Sequence, residues 1–129
     1  MPTNIKIIHA HEFIKATSEG QLNLEETRKL LVEVAAASAP LADYNILMDT
    51  RKAQSRMPEA DLWFLASELS NYFRKTFSRA IKTAVLCPLE RFDHAQFFVL
   101  CAKNRGYQVR AFTSFEEAYE WLVGKGPDA

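Results

Sequence analysis

This 129-residue chain has few of the features that announce a chemistry. It has two cysteines, Cys87 and Cys101, too few for a disulfide scaffold and without the Cys-x-x-Cys spacing of zinc or redox sites. Both follow apolar runs (Ala84-Val85-Leu86 and Phe98-Val99-Leu100), where a thiol acts as a small hydrophobe. The four glycines, at 20, 106, 124 and 126, fall at the ends of predicted elements, which excludes a P-loop or a dinucleotide fingerprint. Neither sign of charge is in surplus: 16 Lys+Arg stand against 16 Asp+Glu, with no basic field to attract nucleic acid or anionic lipid. No apolar run approaches the ~20 residues of a membrane span, and Met1 to Ala10 lacks the apolar stretch of a signal peptide. A cytoplasmic protein is expected, with reduced thiols and no cofactor, membrane insertion or nucleic-acid partner.

The chain does contain an ordinary globular composition, 48% hydrophobic and 25% charged, in a length suited to one domain. Ile5–His9 and Phe13–Thr17 are short β-rich segments close enough to form a hairpin, with Gly20 closing its second arm. Asn23-Leu24-Glu25-Glu26 has the form of a capping box, opening a helix with Leu30, Leu31 and Val34 on one face that Pro40 stops. Tyr44–Met48 predicts a buried strand. Pro58 suits a first helical position, and Leu62, Leu65, Ala66, Leu69 and Phe73 mark one face of a second helix. A strand follows over Ala80–Leu86, then a helix over Leu89–Arg105 that Gly106 ends. Tyr107–Phe112 alternates with period two, and Ser114-Phe115-Glu116-Glu117 caps a fourth helix that Gly124 ends. The order β-β-α-β-α-β-α-β-α implies an α/β domain over residues 1–124 with a frayed tail at 125–129. Its expected form is a mostly parallel five-stranded sheet with an N-terminal antiparallel hairpin and four helices.

Reactive constellations are sparse. His9 and His11 would share one face of a strand, yet no third metal ligand has a local signature, so no metal site is expected. Asp49 ends a strand as the phosphorylated Asp of a receiver domain does, but the first strand ends in His9 and Ala10 with only Glu12 nearby. The acids that would hold Mg²⁺ are missing. Cys87 and His94 could form a nucleophile pair, but Pro88 follows Cys87 and no Gly loop supplies an oxyanion site. No catalytic residue is assigned, and the chain is expected not to be an enzyme. Arg74, Lys75 and Arg79 suit a solvated helix end.

Two features point to binding. The connection from Asp49 to Pro58 is longer than most βα loops, carries Arg51, Lys52 and Arg56, and leads to a helix N-terminus. It would lie beyond the carboxyl end of a central strand, where open α/β sheets place ligands. One reading is a loop that takes an anion or a partner, with Thr50 or Ser55 accepting phosphate. The other is a solvated loop in which Asp49 bonds backbone N–H groups or pairs with Arg51. The second feature is Leu62-Trp63-Phe64-Leu65, apolar at four consecutive positions, more than one helical stripe buries; Tyr72, Phe73 and Phe77 extend it. A homodimer interface and an apolar pocket between helix and sheet both account for the excess. The binding residues expected are therefore Asp49, Thr50, Arg51, Ser55, Arg56, Met57, Trp63 and Phe64.

The C-terminal run from Val109 through Phe112, Ser114, Glu117-Ala118 and Trp121-Leu122 resembles the closing strand and helix of the SpoIIAA-like, STAS-related bacterial proteins. Ile46-Leu47-Met48-Asp49 is similar to that family's apolar strand ending in Asp, and the order of elements agrees over the whole chain. The resemblance implies a winding shared in broad form with CRAL-TRIO lipid-transfer domains and a non-enzymatic role in regulation or binding. STAS domains carry a phosphorylated Ser within an Asp-Ser-Ser-Gly segment. Here Asp49 is followed by Thr50-Arg51-Lys52-Ala53, and no phosphosite carries over. A self-associating regulatory or binding module with an unidentified protein partner is the first expectation. A carrier of a small apolar or lipid-like ligand is the alternative.

Overall fold

A computed structural model describes residues 3–8, 13–40, 44–55, 57–71, 74 and 81–124. The elements run β1 (Thr3–Ile8), β2 (Phe13–Leu22), α1 (Leu24–Ser38), β3 (Asn45–Ser55), α2 (Glu59–Asn71), β4 (Lys82–Leu86), α3 (Phe92–Lys103), β5 (Gln108–Phe112) and α4 (Phe115–Val123). Strands β2, β3, β4 and β5 are mutually parallel and lie side by side in chain order. Strand β1 lies along the outer edge of β2, antiparallel to it, with Ile5 opposite Ala16. Residues 9–12, which join β1 to β2 and include His9 and His11, lie outside the described residues.

Because the sheet grows in one direction, right-handed crossovers carry α1, α2 and α3 to the same face. There Ala16, Ile46, Met48 and Val109 meet Leu30, Leu31 and Val34 of α1, Leu62 and Leu65 of α2, and Val99 of α3. The alternate residues Phe13, Leu47, Ala84, Leu86 and Phe112 turn to the other face, where α4 covers them with Ala118, Trp121 and Leu122. Helix starts follow the side chains expected to cap them: Asn23 Oδ1 accepts the Glu26 N–H at 2.8 Å and Ser114 Oγ accepts that of Glu117 at 3.4 Å. Helix α4 has no basic residue in its last turn. Its terminal carbonyls are met from the sheet instead, Trp121 O by Lys82 Nζ at 2.9 Å and Leu122 O by Asn45 Nδ2 at 3.0 Å. Gly106, at φ 89°, ends α3 and lets the Tyr107 N–H reach back to Ala102 O at 3.2 Å.

Three expectations change. Gly20 does not close its strand: at φ 84° it bends β2, which continues to Leu22. The segment after Asp49 is not a loop, because β3 runs on to Ser55. Glu19 to Leu22 of β2 pair with Lys52 to Ser55 of β3, past a bulge that inserts one residue into β3 after Asp49. Finally, Leu89–Arg91 forms a 3-10 turn before α3, and α3 ends at Lys103. One-directional growth has a further consequence: strand order does not reverse beside β3, so no crevice of the switch-point kind opens at Asp49.

Candidate functional site

Asp49 and Arg51, two apart on one strand, face the same way and bind each other. The Arg51 guanidinium donates from Nε to Oδ1 at 3.1 Å and from Nη2 to Oδ2 at 2.9 Å, and the Arg51 backbone N–H adds a third bond to Oδ1 at 3.1 Å. Burial alone would raise the Asp49 pKa, but these bonds and the charges of Arg51 and Lys15 outweigh it and hold the carboxyl below its usual range. The same bond raises the pKa of Arg51 further. The carboxylate is thus occupied by its own strand, as in the second of the two readings offered for this segment. It lies on the α4 side of the sheet, in line with Leu47.

Thr50 turns to the other face. Its hydroxyl donates to Leu86 O at 3.0 Å across β3 and β4, a bond that phosphorylation would destroy. Met57 is buried in the core, not presented to a partner. The Ser55 side chain and Arg56 lie outside the described residues, as do Tyr72, Phe73, Lys75, Phe77 and Arg79.

Beyond Asp49, β4 no longer pairs with β3, and the backbone carbonyls of the run-on strand need other donors. Arg91 supplies them: its Nη2 donates to Thr50 O at 2.7 Å and Ala53 O at 2.8 Å. No sequence spacing announced this residue, since its partners lie about forty positions away. Beside it, a cavity of about 90 Å³ opens between the three helices and the sheet. Thr50, Met57, Arg91 and His94 belong to its wall. His94 Nε2 is buried with no hydrogen-bond partner among the described residues. Cys87 is buried and its thiol donates to Phe112 O at 3.6 Å; burial pushes its pKa up, the opposite of an activated nucleophile.

Trp63 and Phe64 project outward from α2 and are 54% and 40% exposed, while Leu62 and Leu65 point into the core. The Arg105 guanidinium stands 5.1 Å from the Trp63 ring and that of Arg28 stands 5.9 Å from Phe64. Arg28 also binds the buried Glu68 through Nε at 2.6 Å. Val32 of α1 and Leu100 of α3 are exposed as well, so each helix of this layer leaves a large apolar residue in water. Of the eight residues expected to form one site, the six whose side chains are described are therefore not gathered. Asp49 and Arg51 belong to the α4 side, Thr50 and Met57 to the interior, and Trp63 and Phe64 to the outer surface of α2. Among the described residues, no group of three or more His, Cys, Asp or Glu is placed to hold a metal ion. No described helix is long and apolar enough to cross a membrane.

No protein-family model matches the sequence, and no curated protein matches it in sequence. Solved structures do match. An anti-sigma factor antagonist from Mycobacterium paratuberculosis superposes with a TM-score of 0.62 at 11% identity, over 94% of this chain and 92% of that one. The chain has a SpoIIAA-like fold. SpoIIAA itself, an anti-sigma factor antagonist in its unphosphorylated form, matches with a TM-score of 0.55 at 15% identity, over 96% of this chain and 100% of its own. A protein from Shewanella loihica described as having a SpoIIAA-like fold, of the DUF3478 family, matches with a TM-score of 0.56 at 14% identity, over 94% and 92% of the two chains. The SpoIIAA-like fold expected from the C-terminal run and from the strand ending in Asp49 is thus the fold observed.

Proposed function

We propose that this chain is a non-catalytic regulatory module of the cytoplasm that works by binding protein, its own second copy included, through the outer face of α2. The observation that carries the reading is the exposure of Trp63 and Phe64, side by side and flanked by Arg105 and Arg28. Large aromatics with arginines at their edges are the residues that dominate binding energy when an interface covers them. A guanidinium over an exposed ring is worth about 0.5–1 kcal/mol, less than the roughly 1.5–3 kcal/mol gained by burying such a side chain. The rings thus gain more from a partner than from their own arginines. Two structural neighbours named as anti-sigma factor antagonists support a regulatory role on this fold.

The phosphate-accepting role is not carried forward for Thr50, which commits its hydroxyl to Leu86 O; the side chain of Ser55, the other candidate, lies outside the described residues. The lipid-carrier alternative is disfavoured by size: the cavity, about 90 Å³, is smaller than the ~150 Å³ that accepts benzene and cannot hold the long acyl chain of a lipid. Light scattering over a concentration series tests the proposal. The expected result is a mass rising toward twice that of the chain at high micromolar concentration, and loss of that rise in Trp63→Ser/Phe64→Ser. A monomer at every concentration in the wild-type chain overturns self-association.

A further inference from the structure

We propose that the cavity between the helix layer and the sheet is a binding site for a compact organic carboxylate, with Arg91 and His94 receiving the carboxylate and an apolar tail of about four carbons filling the interior. The walls are Leu30 and Leu31 of α1, Met48 of β3, Met57 and Leu65, and Phe98 of α3. Apart from Arg91 and His94 at one end, and the Thr27 and Thr50 hydroxyls already committed to Asn23 O and Leu86 O, the walls give water no strong polar partner, so the interior favours an apolar occupant. Two of the walls are methionines, whose unbranched thioether chains adapt to an inserted group. A volume of about 90 Å³ sets the scale: the tail is smaller than a benzene ring.

The polar end sets the class. Arg91 and His94 both belong to the wall and stand three residues apart, where the 3-10 turn passes into α3. Arg91 spends Nη2 on the two β3 carbonyls, leaving Nε and Nη1 without a partner among the described residues. Buried polar atoms are nearly always hydrogen-bonded; the orphaned Nε2 of His94 is one of two exceptions among the described residues, with Ser18 Oγ, and is the one at this cavity that a ligand would remove. Two donors from one guanidinium and a neighbouring imidazole suit the two oxygens of a carboxylate, the pairing that charge-assisted bonds favour most. An ammonium is repelled by the fixed charge of Arg91, and an alcohol uses only one of the donors. Glu90 and Asp93, the nearest acids on the same turn, are exposed and screened by solvent. The site is separate from the outer face of α2, so its failure leaves the proposed protein contact untouched.

The test is a titration of the isotopically labelled full chain, followed by its amide and methionine-methyl resonances, with isovalerate, isoamyl alcohol and isoamylamine as probes. Isovalerate is expected to give saturable shifts at Thr50, Val85, His94 and Phe98 and direct proton contacts to the Met48 and Met57 methyls. It should bind at least tenfold more tightly than the alcohol, and the amine should not bind. Val85→Phe, which places a ring in the cavity, should abolish the response while the remaining spectrum stays dispersed. His94→Ala should weaken the acid several-fold and leave the alcohol unchanged. The proposal is overturned if isovalerate does not saturate, if its shifts fall only outside the cavity wall, or if acid and amine bind alike. The methyl contacts are read in the wild-type chain, so the test remains decisive even where a variant fails to fold.

Discussion

Replacing Arg91 by Met keeps most of the aliphatic stem and removes only the guanidinium, which makes it a direct test of what holds the run-on part of β3. Two bonds are lost, to Thr50 O at 2.7 Å and to Ala53 O at 2.8 Å. A hydrogen bond from a charged donor contributes about 1.5–3 kcal/mol, and a carbonyl left buried without a donor costs about 1–3 kcal/mol. Arg91 is half-buried, so water reaches part of the vacated edge and recovers some of the loss. The expected net destabilisation is about 2–3 kcal/mol, or roughly 6–12 °C in Tm for a chain of this size. Urea unfolding measures the first number through the midpoint at unchanged slope. Amide exchange locates it: Lys52 to Ser55 and their β2 partners Glu19 to Leu22 should lose protection well before Ile46 to Met48, which pair on both sides. A loss under about 0.5 kcal/mol, within the range of an ordinary surface substitution, with unchanged exchange in both segments would show that Arg91 does not substitute for a strand.

Further outcomes follow from the same geometry. Trp63→Ser/Phe64→Ser removes two half-exposed rings and their guanidinium contacts, so stability should fall by about 1–2 kcal/mol with the chain still folded, while the concentration-dependent mass is lost; sedimentation and urea unfolding read the two separately. Asp49→Asn should destabilise by about 1–2 kcal/mol, discounted because Arg51 is partly exposed to screening solvent. Because the folded Asp49 carboxyl titrates below its unfolded value, its contribution is present above the ordinary carboxylate range and fades as pH falls through the lowered one. The acid limb of the wild-type stability profile should therefore be steeper than that of Asp49→Asn. Cys87, buried and with its pKa raised, should react with a thiol reagent at neutral pH only after unfolding; fast labelling of the native chain would contradict that environment.

Much of the architecture was legible because it rests on local chemistry. Asn23 and Ser114 cap the helices they precede, since an oxygen-bearing side chain there meets an N–H three residues on. Gly106 ends α3 because the chain needs a positive φ at that point. Trp63 and Phe64 are conspicuous because four consecutive apolar residues cannot share one inward stripe, and two of the four do face water. The segment from Thr50 to Ser55 reads as a loop in sequence because its composition, Thr-Arg-Lys-Ala-Gln-Ser, has the polarity of one. Its strand form comes from β2 on one edge and Arg91 on the other, both distant in sequence.

By itself, then, the sequence determined the succession of strands and helices, the caps that start and end them, and the surplus of apolar side chains on α2. Those are set by periodicity and by contacts within a few residues. Tertiary structure alone decided which side of the sheet each described site residue reached, where β3 stopped, and that Arg91 would meet the Thr50 and Ala53 carbonyls beside an apolar cavity. These depend on strand register and crossover hand, which bring together groups tens of positions apart and leave no trace in local spacing.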